Sequence, residues 1–188
     1  MPKGEEMENY LIKHCSPTLA SIKTANLFSY AFSCAKEFEY DLQRVNKVLN
    51  EKGVYVESLR VRGGKALIWV YRKSQLEERL QQADIARFLE LYGYQLKQLS
   101  DVVKRLKERV FDSEKFPHEI GVFLGYPLSD VIAFIKYGGK HSKCTGCWKV
   151  YTNEYEAVRL FEMYERCHKV YRKMFLLGKS VKQLTVAA

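Results

Sequence analysis

The glycine pair Gly63-Gly64 is the sequence feature that most constrains the fold. It separates two β-rich runs, 54–62 and 65–72, and a two-residue glycine turn is typical of a tight β-hairpin. In the second run every residue from Ala66 to Tyr71 is apolar. Because such a run is typical of a strand that is covered on both faces, we predict that it is the central strand of a small sheet with helices packed against it.

Helical patterns surround this hairpin. Ser16-Pro17 predicts the N-cap and first residue of a short helix to about Ile22, and Thr24 is predicted to cap a second one. A clearer helix has an apolar stripe and ends at Lys52-Gly53. The apolar positions of these two later helices are Leu27, Phe28, Ala31 and Phe32, then Phe38, Leu42, Val45 and Leu49.

The second half of the chain is predicted to be mostly helical. Capping signals open helices near Ser74, Asp84 and Ser100, and two prolines open helices at 117–125 and from 127 to Gly138-Gly139. For 117–125 a strand remains the alternative. A short strand at 148–151 precedes a long helix that starts at Asn153 and stops near Gly178. The order of elements predicts an α+β protein, one mostly helical domain over 1–188, with flexible ends at 1–9 and 179–188.

Composition limits the classes of protein that the chain can belong to. The 188 residues, 47% of them hydrophobic, are enough to form a core, and no apolar run is long enough to cross a membrane. No secretory signal is visible, and five cysteines, an odd number, fit a reduced compartment better than a disulfide framework. We therefore expect a cytoplasmic protein.

The first candidate site pairs Cys15 with His118. A thiol just before a helix start is favoured as thiolate by the free N–H groups and the helix dipole. His14 is a poor partner because adjacent side chains rarely face each other, so His118 is the better base or co-ligand. The alternative is a small buried cysteine that only packs.

Residues around His118 extend this hypothesis to a small-molecule pocket. Glu119 lies in a predicted first helical turn, and Gly121 and Gly125 permit the close approach of another element or a ligand. Lys140, in a glycine-rich loop, is the candidate anion contact. Trp148 and Tyr151 supply aromatic surface, and His14 completes the candidate ligand-binding set.

A different class of function is nucleic-acid binding or regulation. The formal charge is +9, and segment 117–137 has the glycine and apolar spacing of a helix-turn-helix. The basic C-terminal helix would add phosphate contacts. Against this alternative, the would-be recognition helix offers no Arg, Asn or Gln to contact base edges.

Cysteines also allow a metal alternative. His141, Cys144, Cys147 and Cys167 contain the ligand types of a zinc site. Against it, Cys167 and His168 are neighbours on the last predicted helix and point about 100° apart, so at most one of them would readily be a ligand. No dinucleotide fingerprint, GxSxG elbow or HExxH motif is present, so neither a cofactor nor a reaction is predicted.

Several segments together resemble a family of small bacterial proteins, common in clostridia, that is known as a domain of unknown function. The resemblance runs from His14 to about Gly178 and rests on residues 14–20, 26–28, 116–127, Lys140 and 148–151. It implies a cytoplasmic protein whose pattern includes His14, Cys15 and His118. The pair Cys144 and Cys147 departs from the pattern, which weakens the zinc alternative.

Overall fold

A three-stranded antiparallel sheet organises the molecule. The structure is a computed structural model that describes residues 5–112 and 116–187. The strands are β1 (Ala25–Ala31), β2 (Val54–Arg62) and β3 (Lys65–Arg72), in the order β1-β3-β2. The predicted hairpin is confirmed, since Arg62 pairs with Lys65 across a turn in which Gly63 and Gly64 both have positive φ.

The central strand is covered on both faces, as its apolar run predicted. Alternate residues of β3 point to opposite faces, with Ile68 and Val70 in one core cluster and Trp69 and Tyr71 in another. On the Ile68 face lie α1 (Glu5–Leu19), α2 (Ala35–Leu49) and the short α9 (Val181–Leu184). Helix α2 continues into a 3₁₀ turn, and the helical segment ends at Gly53, as predicted. The φ of Gly53 is 73°, a conformation that suits glycine.

Five helices cover the Trp69 face: α3 (Lys73–Leu80), α4 (Ala83–Glu90), α5 (Leu99–Asp112), α6 (Ile120–Phe123) and α7 (Leu128–Tyr137). A second small sheet then pairs β4 (Cys144–Thr145) with β5 (Lys149–Val150). The long α8 (Glu154–Leu176) follows, capped by Asn153 Oδ1, which accepts from the Glu156 N–H at 3.4 Å. The α+β class and the Asn153 start are confirmed.

The predicted helix start at Ser16-Pro17 is wrong, because this pair lies near the end of α1 and not at the start of a helix. Pro17 is inside the last turns of α1. The stripe Met7, Leu11 and Cys15 buries against the sheet, and this burial outweighs the hydrogen bond that proline removes. The Ser16 hydroxyl donates to the Ile12 carbonyl and does not cap a helix.

The helix predicted after Thr24 is also wrong, since residues 25–31 form β1. All seven residues of β1 pair with β3, from Ala25 with Tyr71 to Ala31 with Lys65. A central strand needs a partner at each edge to pair its backbone groups, and this tertiary requirement overrides the local helical pattern.

The C-terminal segment, for which we predicted a flexible end, contains α9. Ser180 and Gln183 form a capping box, and Val181 is buried. The buried Arg72 donates to the carbonyls of Thr18, Leu19 and Val186 at 2.6 to 2.7 Å, so it ties the end of α1 to the last residues described. Residues 1–4 lie outside the described part. Within that part, no helix has the length and apolarity that crossing a membrane requires.

Candidate ligand pocket

A pocket of about 430 Å³ opens between α6, α7 and the β4–β5 hairpin, with β1 contributing Leu27. Its walls are mainly apolar and aromatic. The lining includes Leu27, His118, Tyr126, Asp130, Phe134, Trp148 and Lys149.

Close packing of α6 against α7 forms one wall. A Cβ on Gly121 would lie 2.8 Å from Val131 Cγ2, and Gly125, with φ of 83°, packs against Thr24. The close approach predicted from these two glycines is confirmed. Arg79 of α3 fixes the far side of the segment by donating to the carbonyls of Val122 and Tyr126.

Asp130 joins α7 to the hairpin. Its side chain is buried and accepts four hydrogen bonds of 2.8 to 2.9 Å. The donors are the Trp148 indole N–H, the backbone N–H groups of Tyr151 and Thr152, and the Thr152 hydroxyl. Asp130 thereby holds Trp148 in place, with three of the four hydrogen bonds accepted by Oδ1 and one by Oδ2.

Aromatic contacts support the wall formed by Trp148. Tyr126 stacks on its indole at 5.1 Å between ring centres, and Phe161 of α8 meets it edge-on at 4.6 Å. Gly146 has no room for a side chain, since an added Cβ would overlap the Phe161 ring and lie 2.8 Å from its Cγ. The loop between β4 and β5 therefore rests directly on α8.

Two basic groups border the apolar surface. The His118 ring is exposed and lies edge-on to Phe134 at 4.9 Å. Lys149 Nζ donates to the Gly139 carbonyl at 2.6 Å, which leaves two of its three N–H donors for another acceptor. The arrangement can hold an apolar ring and offer it a charged donor at the edge.

Comparison with known proteins gives a family and no activity. A family model described as "Protein of unknown function (DUF3793)" matches residues 11–185. The chain belongs to this family. The resemblance to a domain of unknown function is thereby confirmed over nearly the whole chain. No curated protein and no solved structure matches the chain.

In this DUF3793 protein Cys15 lies away from the residues that line the pocket. It is 0% exposed, within the core cluster between α1 and the sheet, whereas His118 borders the pocket. Burial raises the pKa of the Cys15 thiol far above its ordinary value. The helix start expected to activate it is absent, because Cys15 lies in the C-terminal half of α1.

His14 and Glu119 have partners within the fold. The His14 ring stacks on Phe28 at 5.2 Å, and burial lowers its pKa. Glu119 is buried and forms an ion pair with Arg109 at 2.8 Å, with the Tyr94 hydroxyl donating at 3.4 Å. Neither residue lines the pocket.

Of the three remaining candidate ligand contacts, Trp148 lines the pocket and the other two do not. Lys140 is exposed at the end of α7. Tyr151 stacks on Tyr137 at 6.0 Å and contributes its backbone N–H to Asp130.

The metal alternative finds no geometric support among residues 5–112 and 116–187. No group of three or more His, Cys, Asp and Glu side chains there is arranged to hold a metal ion, so His141, Cys144, Cys147 and Cys167 are not brought together. Desolvation and the nearby Glu154 carboxylate raise the pKa of Cys144, and partial burial raises the pKa of Cys147.

Segment 117–137 differs from a DNA-binding helix-turn-helix in its dimensions. Its first helix, α6, is a single turn of four residues. The exposed positions of α7 include Ser129, Ile132 and Lys136, which supply one cation. On α8, Arg166 pairs with Glu162 and Lys169 with Glu165, so part of its basic face is compensated.

Sequence reasoning missed the residues that do most in this region. Asp130 and Lys149 lie inside segments that were singled out, but a single carboxylate or lysine carries no local signal. Phe134 lies in the helix predicted from 127 to Gly138-Gly139, where the sequence indicated only an inward-facing position. Lys23, which lies between Ile22 and Thr24, had no pattern that marked it.

Proposed function

We propose that this DUF3793 protein binds a small molecule with an apolar ring and an acidic or carbonyl group in the pocket between α6, α7 and the hairpin. The carrying observation is a cavity of about 430 Å³ with aromatic walls and two basic groups at its border. Small-molecule sites are of this size, mostly apolar, with a few polar groups that orient the ligand.

The polar side chains at the pocket indicate that the ligand carries a hydrogen-bond acceptor. Asp130 is buried, and its carboxylate already accepts four hydrogen bonds, which compensate much of its negative charge. Lys149 has spare N–H donors, and His118 is exposed at the border. A carboxylate or carbonyl oxygen is therefore the matching ligand group.

A cytoplasmic location stays a prediction from the sequence. Thiol chemistry at Cys15 is not part of this proposal, because the thiol is buried among apolar side chains of another cluster. Nucleic-acid binding is left out because α7 exposes few groups that contact bases or phosphates.

The test is titration of the purified protein with the fluorescent anion anilinonaphthalene sulfonate, followed by energy transfer from Trp148. We expect one saturable site, and weaker transfer in Trp148→Phe, in which Trp69 is the remaining donor. Phe134→Ala should weaken binding about tenfold, because it removes an aromatic wall. The matched control is Phe32→Ala, a half-buried ring that stacks on Phe38 outside the pocket, and it should leave affinity unchanged.

A second pair of variants tests the polar contact. Lys149→Met should weaken binding of the anionic probe about fivefold, whereas Lys140→Met, an exposed lysine outside the pocket, should have no effect. Equal affinity in Phe134→Ala, Lys149→Met and both controls would place the probe elsewhere and reject the proposal. Near-ultraviolet circular dichroism of each variant checks that its core is intact.

A further inference from the structure

Lys23 is a buried cation without a carboxylate partner. It lies in the loop between α1 and β1 and is 7% exposed. Among the residues that the structure describes, its ammonium has no hydrogen bond or ion pair; its Nζ lies 5.4 Å from the ring centre of Tyr126 and 5.9 Å from that of Tyr164. Lysine is seldom buried without an anionic partner, so this placement needs an explanation.

Within residues 5–112 and 116–187, the groups around Lys23 supply no compensating negative charge. Cys15 of α1, Cys147 of the hairpin loop and His168 of α8 are within electrostatic range of Lys23. Burial raises the pKa of both thiols and lowers that of His168, so all three are neutral near neutral pH.

The two tyrosines are neutral as well. Burial raises the pKa of Tyr164 to about 12 and raises that of Tyr126 further above its ordinary value. Desolvation accordingly lowers the pKa of Lys23 itself. Two aromatic faces attract the cation only modestly compared with a carboxylate.

A desolvated lysine is one of the nucleophiles that proteins use, since burial favours the unprotonated amine, whose lone pair is free to attack. Cys147, which faces Lys23, belongs to an exposed part of the hairpin loop, so the cluster extends to the surface. We propose that Lys23 is a nucleophilic amine that forms an imine with small aldehydes. This site lies outside the residues that line the ligand pocket, apart from the shared ring of Tyr126, and does not depend on that pocket being occupied.

The step is a condensation. The Lys23 nitrogen attacks the carbonyl carbon, and a proton moves from the nitrogen to the carbonyl oxygen. The resulting carbinolamine loses water, with the second amine proton leaving on the oxygen, and a C=N bond is formed. No electrons are exchanged with an oxidant or reductant.

The test traps the imine in the full-length protein with acetaldehyde and sodium cyanoborohydride, and peptide mass spectrometry then gives the alkylation rate of each lysine. Exposed Lys13 and Lys140 are the internal controls. We expect Lys23 to react at least tenfold faster than either at neutral pH. Its rate should also level off at a lower pH than theirs, because less of its amine is protonated.

Two outcomes would overturn the proposal. If Lys23 reacts no faster than Lys13, its ammonium is a structural cation held between two rings. If Lys23 is not alkylated at all while Lys13 and Lys140 are, the amine is closed to solutes. Lys23→Met serves to assign the labelled peptide and should leave the rates of the two controls unchanged.

Discussion

Two buried charged side chains lie next to the Tyr126–Trp148 stack and differ in the partners that the fold provides. Asp130 bonds to Trp148, and Lys23 lies near the Tyr126 ring. Asp130 is 2% exposed and accepts four hydrogen bonds from Trp148 and the residues after β5. Lys23 is 7% exposed and faces two tyrosine rings without an acceptor. Asp130 therefore links α7 to the β4–β5 hairpin through hydrogen bonds. Lys23 has only two aromatic rings to offset the cost of burying its charge among the described residues.

The difference indicates where to look for chemistry in this molecule. A buried group with all its hydrogen bonds made is costly to disturb and has nothing left for a ligand. A buried lysine that makes no hydrogen bond is destabilised in its charged form, so its neutral amine is more available as a base or nucleophile. Substitutions of Asp130 and Lys23 test this contrast directly, and a substitution of Gly146 tests how the hairpin bonded to Asp130 packs on α8.

The largest effect is expected for Asp130→Ala. It leaves an indole N–H, two backbone N–H groups and a hydroxyl without their acceptor, and we expect the free energy of unfolding to fall by about 3 kcal/mol. Urea unfolding measures this loss. Asp101→Ala is the matched control, since Asp101 is also in the first turn of a helix but exposed, and it should cost less than about 0.5 kcal/mol. Similar losses in both variants would show that Asp130 acts only as a helix-start charge.

An intermediate effect is expected for Gly146→Ala. The new methyl group overlaps the Phe161 ring, so the hairpin must lift from α8, at a cost of about 2 kcal/mol by urea unfolding. In a Phe161→Ala background the same substitution should cost little, because the overlapping ring is gone. An unchanged cost in that background would mean that the hairpin is not seated on Phe161.

The smallest effect, with the opposite sign, is expected for Lys23→Met. Removing an uncompensated buried charge should raise the free energy of unfolding by about 1 kcal/mol near neutral pH. The pKa of Lys23 is lowered in the folded state, so charging it opposes folding at every pH below the folded pKa. The cost disappears as the pH rises from that value towards the ordinary value of 10.5.

The difference in the free energy of unfolding between Lys23→Met and the unmodified protein should therefore narrow as the pH rises towards 10.5, the ordinary pKa of a lysine. Urea unfolding from neutral pH upwards measures it, with Lys13→Met, an exposed lysine, as the control that shows no difference. A difference that stays constant as the pH rises, or a less stable Lys23→Met protein, would show that the rings compensate the charge. The contrast with Asp130 would then fail.

Local patterns predicted the parts of the fold that depend on neighbours in sequence. The turn at Gly63-Gly64, the end of α2 at Gly53 and the cap at Asn153 each follow from backbone preferences that act over a few residues. The apolar run of β3 also predicted its central position. Of the candidate site residues, His118 and Trp148 line the pocket and Cys15 does not, and their roles stay predictions.

The failures share a physical cause. Ser16-Pro17 has the local chemistry of a helix start, yet it lies near a helix end, because burial of Met7, Leu11 and Cys15 against the sheet outweighs the local preference. Residues 25–31 form β1 because the free edge of β3 requires a partner. The residues next to Ser16-Pro17 or to segment 25–31 in sequence include neither the sheet that buries α1 nor the β3 edge that pairs with β1.

The sequence by itself determined the α+β class, the hairpin and the long final helix, because propensity, turn chemistry and hydrophobic period act locally. Tertiary structure alone decided which side chains share an environment. It placed four donors around Asp130, two rings around Lys23 and a wall of Trp148, Phe134 and Leu27 around one cavity. The reason is that burial and hydrogen-bond satisfaction depend on atoms far apart in the chain, and these set the chemistry of a side chain more strongly than its sequence neighbours do.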